Sequence, residues 1–91
     1  MSIHVKGNNG ESILFDGATV TKFRHHGKDE AARVPVGTYR EAQVKHKKPR
    51  FGGAERYDAL LVMGSIFALS FPPEVKPEWD QLVAAIEAAA A

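Results

Sequence analysis

Between residues 45 and 51 the chain reads Lys-His-Lys-Lys-Pro-Arg-Phe, with Gly52-Gly53 after it. Four cations, an imidazole and an aromatic ring in seven residues are the ingredients of an anion site. Lys45, Lys47, Lys48 and Arg50 would hold phosphates while Phe51 stacks on a base. The same run fits a simpler description, a solvated edge strand guarded by lysines with Phe51 folded back onto the core. The net charge of only +1 favours that description, because nucleic-acid binders are usually far more basic.

Other residue types that carry chemistry are scattered. His4, His25, His26 and His46 could ligate a metal only if the fold gathered at least three of them. His25 and His26 are adjacent, and on one strand they would point to opposite faces. Ser2, Ser12, Ser65 and Ser70 lack the strand-turn-helix setting of an activated serine, and the pair Asp29-Glu30 reads as a polar loop. With no cysteine there is no thiolate nucleophile, disulfide or cysteine metal site. We therefore expect no catalytic residue, no metal and no cofactor, and read the chain as non-enzymatic.

Charge is unevenly spread. Residues 22–56 hold ten Lys or Arg against four acids, whereas residues 57–91 hold one Lys against five acids. Such asymmetry can steer an anionic partner or set up head-to-tail contacts. A chain of 91 residues, 44% hydrophobic, is expected to form one small domain that dimerisation would help to stabilise. Its first residues lack the apolar core of a signal peptide, and its longest apolar window, 59–71, falls short of the roughly 20 residues that span a bilayer. The expectation is a cytoplasmic protein without a membrane span.

These residues must be positioned by the most apolar stretch, Tyr57 to Phe71, which reads as a β-hairpin. Gly64-Ser65 can form a two-residue turn, glycine taking the positive φ that such a turn requires. That register opposes Met63 to Ile66, Val62 to Phe67, Leu61 to Ala68 and Leu60 to Leu69. One face then carries Leu60, Val62, Phe67, Leu69 and Phe71. The other carries Leu61, Met63, Ile66 and Ala68, which are apolar too and form the candidate protein-interaction surface.

Elsewhere the patterning is that of short strands. Ile3 to Lys6 leads into a Gly7-Asn8-Asn9-Gly10 turn. Glu11 to Phe15 and Ala18 to His25 flank Asp16-Gly17, a strong hairpin signal that opposes Ile13 to Val20 and Glu11 to Lys22. Gly27 to Glu30 is a loop, Arg33 to Val36 a short extended segment, and Arg40 to Lys47 a half-solvated strand with Ala42 and Val44 on one side. After Pro72-Pro73 comes one helix. Pro77 suits its first turn, and Trp79, Leu82, Val83, Ile86 and Ala90 share one face. Its Ala88 to Ala91 end is expected to fray.

About seven strands followed by one amphipathic C-terminal helix is similar to the pleckstrin-homology (PH)-like fold, a barrel or two orthogonal antiparallel sheets closed by a helix. Within that class the chain resembles a small actinobacterial and actinophage PH-like family of unknown function. The resemblance rests on Lys6-Gly7-x-Asn9-Gly10, Phe15-Asp16-Gly17-x-Thr19-Val20-Thr21, Arg33-Val34-Pro35-Val36 with Val44-Lys45, Ala59-Leu60 through Phe71, and Trp79-x-x-Leu82-x-x-x-Ile86. It implies a single PH-like domain over residues 1–91 and no catalytic residues. Lys6 with Lys22-Phe23-Arg24 also resembles the basic pattern by which lipid-binding PH domains hold head groups, which adds Lys22 and Arg24 to the candidate anion site. The leading functional expectation is a module that self-associates, as a dimer, or binds a host protein through an apolar sheet face or edge, as a bacteriophage product would. The alternative is an anion binder for nucleic acid or lipid head groups through Lys45–Arg50.

Overall fold

The computed structural model describes residues 2–49 and 51–91. It is mostly β, with two antiparallel sheets and one C-terminal helix. Strands β1 (Ile3–Lys6), β2 (Ser12–Phe15), β3 (Thr19–Arg24) and β4 (Asp29–Pro35) form the first sheet in that order. The second sheet contains β5 (Glu41–Lys47), β6 (Arg56–Val62) and β7 (Ile66–Phe71), again in sequence order. Single 3₁₀ turns at Asn8–Gly10, Val36–Thr38 and Pro73–Val75 link the elements, and helix α1 spans Lys76–Ala90. The ladders end at β4 and β5, so among the described residues the sheets are not closed into a barrel.

The β2–β3 hairpin forms where Asp16-Gly17 predicts it, with a longer turn. Asp16 Oδ1 accepts hydrogen bonds from the Ala18 and Thr19 amides at 2.9 and 2.7 Å, and its Oδ2 accepts one from the Thr19 hydroxyl at 2.9 Å. These bonds hold a four-residue turn, with Gly17 at φ +101°, and oppose Phe15 to Val20 and Ile13 to Lys22. The register lies two residues from the expected one, and a two-residue shift leaves every side chain on its face. Glu11 and Lys22 still meet, at 2.7 Å, but diagonally and from just outside β2.

In the β6–β7 hairpin the shift is by one residue. The turn contains Met63, Gly64 and Ser65, closed by the Met63 amide donating to the Ser65 carbonyl at 3.1 Å. The Gly64 amide donates to Thr38 Oγ1 at 3.0 Å, anchoring the turn beside the end of β4. Val62 therefore opposes Ile66, Leu61 opposes Phe67 and Leu60 opposes Ala68. A one-residue shift flips one strand relative to the other. Ala59, Leu61, Met63, Phe67, Leu69 and Phe71 all enter the core, while Leu60, Val62, Ile66 and Ala68 face outward.

The core is completed by Val5, Ile13, Phe15, Val20 and Val34 of the first sheet and by Trp79, Leu82 and Ile86 of α1. Three helix residues at spacings of three and four place one stripe inward, as predicted. The helix runs through Ala90. Its far end is tied down by the Tyr39 hydroxyl, which donates to Glu87 Oε2 at 2.9 Å. Burial, that bond and the nearby Glu87 charge push the Tyr39 phenol up to about 12. Two further expectations are corrected. Asp29 and Glu30 belong to β4, because a bulge at Lys22/Phe23 extends pairing to Arg24–Asp29. His25 and His26 lie beyond β3 at φ +53° and +58°, in a turn closed by the Gly27 amide donating to the Arg24 carbonyl.

The two sheets meet where Lys22, only 5% exposed, donates its ammonium to the Ala68 carbonyl of β7 while pairing with Glu11. Gly7 sits at the same junction, and a Cβ there would lie 2.5 Å from the Ser70 carbonyl oxygen and from Leu69 Cδ1. The junction fixes how the second sheet is presented. Removing one partner of a buried charge costs more than removing the charge itself. Glu11→Ala should therefore destabilise the fold by about 1–3 kcal/mol, and Lys22→Met, which keeps the apolar volume, by less. Denaturant titration of the two variants checks the order, and equal losses would remove the bridge from this account.

The Asp16 carboxyl is lowered to about 2, chiefly by the Thr19 and Ala18 amides. A carboxylate with a depressed folded-state pKa contributes stability that is present above its ordinary pKa, 3.8, and is lost as pH falls through the folded value. Stability should consequently drop between pH 4 and 2, and Asp16→Asn should flatten that limb of an acid titration followed by circular dichroism. An unchanged acid limb in the variant would show that the turn does not contribute.

Candidate functional site

The outward face of the second sheet is organised in rows across the strands. Glu41, Val62 and Ile66 form the first row, Gln43, Leu60 and Ala68 the second, Lys45, Asp58 and Ser70 the third, and Lys47 and Arg56 the last. The face is thus apolar beside the β6–β7 turn and cationic at the β5–β6 end. Ile66 is 68% exposed and Ala68 is exposed beside it, with Leu60 and Val62 half-buried between the strands. The four apolar residues are adjacent on one sheet face rather than scattered.

A groove of about 1070 Å³ runs along this face. Leu60, Ala68 and Leu69 contribute to its floor, Gln43 and Lys45 flank it from β5, and Asn8 and Asn9 of the β1–β2 connection overhang it. At its polar end the Asp58 carboxylate accepts hydrogen bonds from the Ser70 hydroxyl at 2.7 Å and from Arg56 Nε at 3.1 Å. Those two bonds, Ser70 first, hold the Asp58 carboxyl below the ordinary value and keep it ionised. Asp58 is occupied by its neighbours, whereas Lys45 and Lys47 form no ion pair with any described residue.

The expected interaction surface of Leu61, Met63, Ile66 and Ala68 is divided by this register. Leu61 and Met63 are core residues, 0% and 8% exposed, and only Ile66 and Ala68 remain outside. Their outer neighbours are Leu60 and Val62, which the two-residue turn placed on the opposite face with Phe67, Leu69 and Phe71. The candidate anion residues are divided as well. Lys45 and Lys47 lie on the outer face of β5 and Lys48 follows them, while Arg50 falls outside the described residues. Lys22 is engaged at the sheet junction and withdrawn from solvent, and Arg24 is exposed on the other sheet. Lys6 shares a row with Ser12 and Phe23, on the face opposite Lys22, so the head-group pattern does not converge. Phe51 does not fold back but stands 97% exposed in the β5–β6 loop.

His46 and Tyr57 stack at 4.9 Å on the inner side, followed by Tyr57 on Phe71 at 5.8 Å and Phe71 near Trp79 at 5.6 Å. His46 also approaches Glu55 at 3.0 Å. His4 and His26 border a separate cavity of about 270 Å³ with Lys6, Glu11 and Ser12. Burial, reinforced by Lys6, lowers the His4 pKa. Among the described residues no three His, Cys, Asp or Glu side chains are grouped to hold a metal. Nor is any helix long and apolar enough to cross a membrane.

The groove wall at Asn8-Asn9 and the Arg56–Asp58–Ser70 cluster escaped the sequence reading. Asn8-Asn9 carries only turn signals. The spacing of Arg56 and Asp58, two apart on one strand, was the available sign of the cluster.

No protein-family profile, curated protein or solved structure matches this chain.

The register itself can be tested by truncation. Leu61→Ala should cost about 2–5 kcal/mol, as deletion of a core leucine does, while Ile66→Ala should stay within about 1 kcal/mol. Denaturant midpoints of both variants give the answer, and comparable losses, as for two residues sharing one face, would reinstate the two-residue turn.

Proposed function

We propose that this protein is a PH-like protein-interaction module that receives an extended segment of a partner protein on the outer face of β5, β6 and β7. The observation that carries the reading is the exposure of Ile66 and Ala68 beside Leu60 and Val62, of which Leu60 and Ala68 line a groove that also holds Lys45, Arg56 and Asp58. Apolar side chains supply the contact area, and Lys45 and Lys47 select a segment with acidic residues beyond its apolar ones. The order of four strands, three strands and a C-terminal helix supports the PH-like assignment. A phage product docking on an actinobacterial host protein accords with that assignment. Nothing in this role calls for catalysis.

A second reading is favoured by Phe51. An aromatic ring fully exposed in the loop that follows Lys47 and Lys48 suits stacking on a base of single-stranded nucleic acid. One experiment separates the two. A photoreactive residue at position 66 is used to capture partners from an actinobacterial lysate, with unlabelled wild type or a Leu60→Glu/Ala68→Glu variant as competitor. Capture of a protein suppressed by wild type but not by the variant is the expected result, and equal suppression by both competitors would overturn it. Nucleic acid binding that falls steeply with salt and is lost in Phe51→Ala would favour the second reading instead.

A further inference from the structure

Strand β5 is the least buried strand of the fold. Among its seven residues none is buried, and only Ala42 is even half-covered. It is an edge, paired on one side by β6 alone. The edge β4 of the first sheet is protected in the ways that edges usually are, by a bulge opposite Lys22/Phe23 and by Pro35. β5 has neither. It runs from Glu41 to Lys47 in unbroken pairing with β6, without proline, glycine or bulge. Its Val44 is 41% exposed and has no apolar neighbour beyond it in the sheet.

The residues on this edge are self-complementary. When β5 pairs with a second β5 about a two-fold axis through Val44, all seven residues find partners. Val44 meets Val44, Ala42 meets His46 and Gln43 meets Lys45. Glu41 meets Lys47 twice, once on each side of the axis. A two-residue shift one way opposes Lys45 to itself, a shift the other way opposes Gln43 to itself, and either leaves two residues of each strand unpaired. The lysines that make the edge repel a partner of arbitrary sequence therefore favour this one register with a copy of itself.

We infer that β5 is the dimerisation strand of this protein, joining two three-stranded sheets into one continuous six-stranded sheet. The proposal goes beyond the docking face described above and does not depend on it, since the edge pairs through the β5 backbone, although Lys45 and Lys47 border both surfaces. It also places two copies of that face side by side.

The chain has no cysteine, so a single introduced thiol reports without background. Across the two-fold axis the two positions 44 lie roughly 4.5–5.5 Å apart at Cα, within disulfide reach. Val44→Cys should form a disulfide-linked dimer rapidly under mild oxidation. Gln43→Cys, whose opposite residue is 45, should not. In parallel, sedimentation equilibrium of the cysteine-free protein should show a dimer that Lys47→Glu weakens by about tenfold or more, through two like-charge pairs. Glu41→Lys combined with Lys47→Glu should restore it. All these positions are exposed, so circular dichroism should show each variant folded. A strict monomer at millimolar concentration, faster crosslinking of Gln43→Cys than of Val44→Cys, or a charge swap that fails to restore association would each overturn the assignment. A dimer with no partner captured at position 66 would retain this inference and defeat the docking one.

Discussion

A single ammonium group sets the relation between the two sheets. Lys22 projects from β3 into the space between them, pairs with Glu11 of its own sheet and donates to the Ala68 carbonyl of the other. A charge this far from water is tolerated only with partners in place, so the contact specifies geometry as well as contributing energy. Non-directional apolar packing would let the sheets slide over one another, and the lysine does not. Gly7 makes the same point sterically, since β7 passes so close that no side chain fits. The same ammonium engages one edge of β7 and leaves β5, at the opposite edge of its sheet, open.

Strand, turn and helix signals were largely legible in the sequence because they are local. Asp16-Gly17, Gly64-Ser65, Pro72-Pro73 and the spacing of Trp79, Leu82 and Ile86 act within a few residues of themselves. Registers were less legible, since each depends on a partner outside the hairpin or on a side chain that lengthens the turn. Asp16 captures two amides and a hydroxyl, extending its turn from two residues to four. Gly64 is held by Thr38, which lies 26 residues earlier, and the extra turn residue follows. The first error was harmless because two is the period of a strand. The second exchanged the two faces of β6.

That exchange explains why the candidate site was only half visible. Tyr57 to Phe71 is apolar on both sides, so composition could show that a second face existed without saying which residues occupied it. Alternation decides the issue only where one face is polar. In β5 it is, and there Ala42 and Val44 fall on the inner side and Gln43, Lys45 and Lys47 on the outer, as the pattern requires. The loss of Lys22 from the anion candidates has a different cause. Its neighbours in sequence, Thr21 and Phe23, do not announce that the strand between two sheets will turn its lysine inward, and only Glu11, brought near by the hairpin, indicates it.

The arrangement of the second sheet follows from these constraints taken together. Its inner side is closed by the first sheet and α1, and its β7 edge is engaged by Lys22 and approached by Gly7. What remains open is the outer face and the β5 edge. On the face, polarity changes along the strands, from Val62 and Ile66 to Lys47 and Arg56, so a ligand lying along the strands meets apolar and cationic ends in a fixed order. On the edge, polarity is antisymmetric about Val44, Glu41 on one side against Lys47 on the other, so a two-fold partner is matched. A gradient suits a ligand of one orientation, and an antisymmetric edge suits the self-pairing inferred above. In the two proposals above one strand serves both kinds of recognition, its backbone pairing at the edge and its side chains shaping face and edge alike.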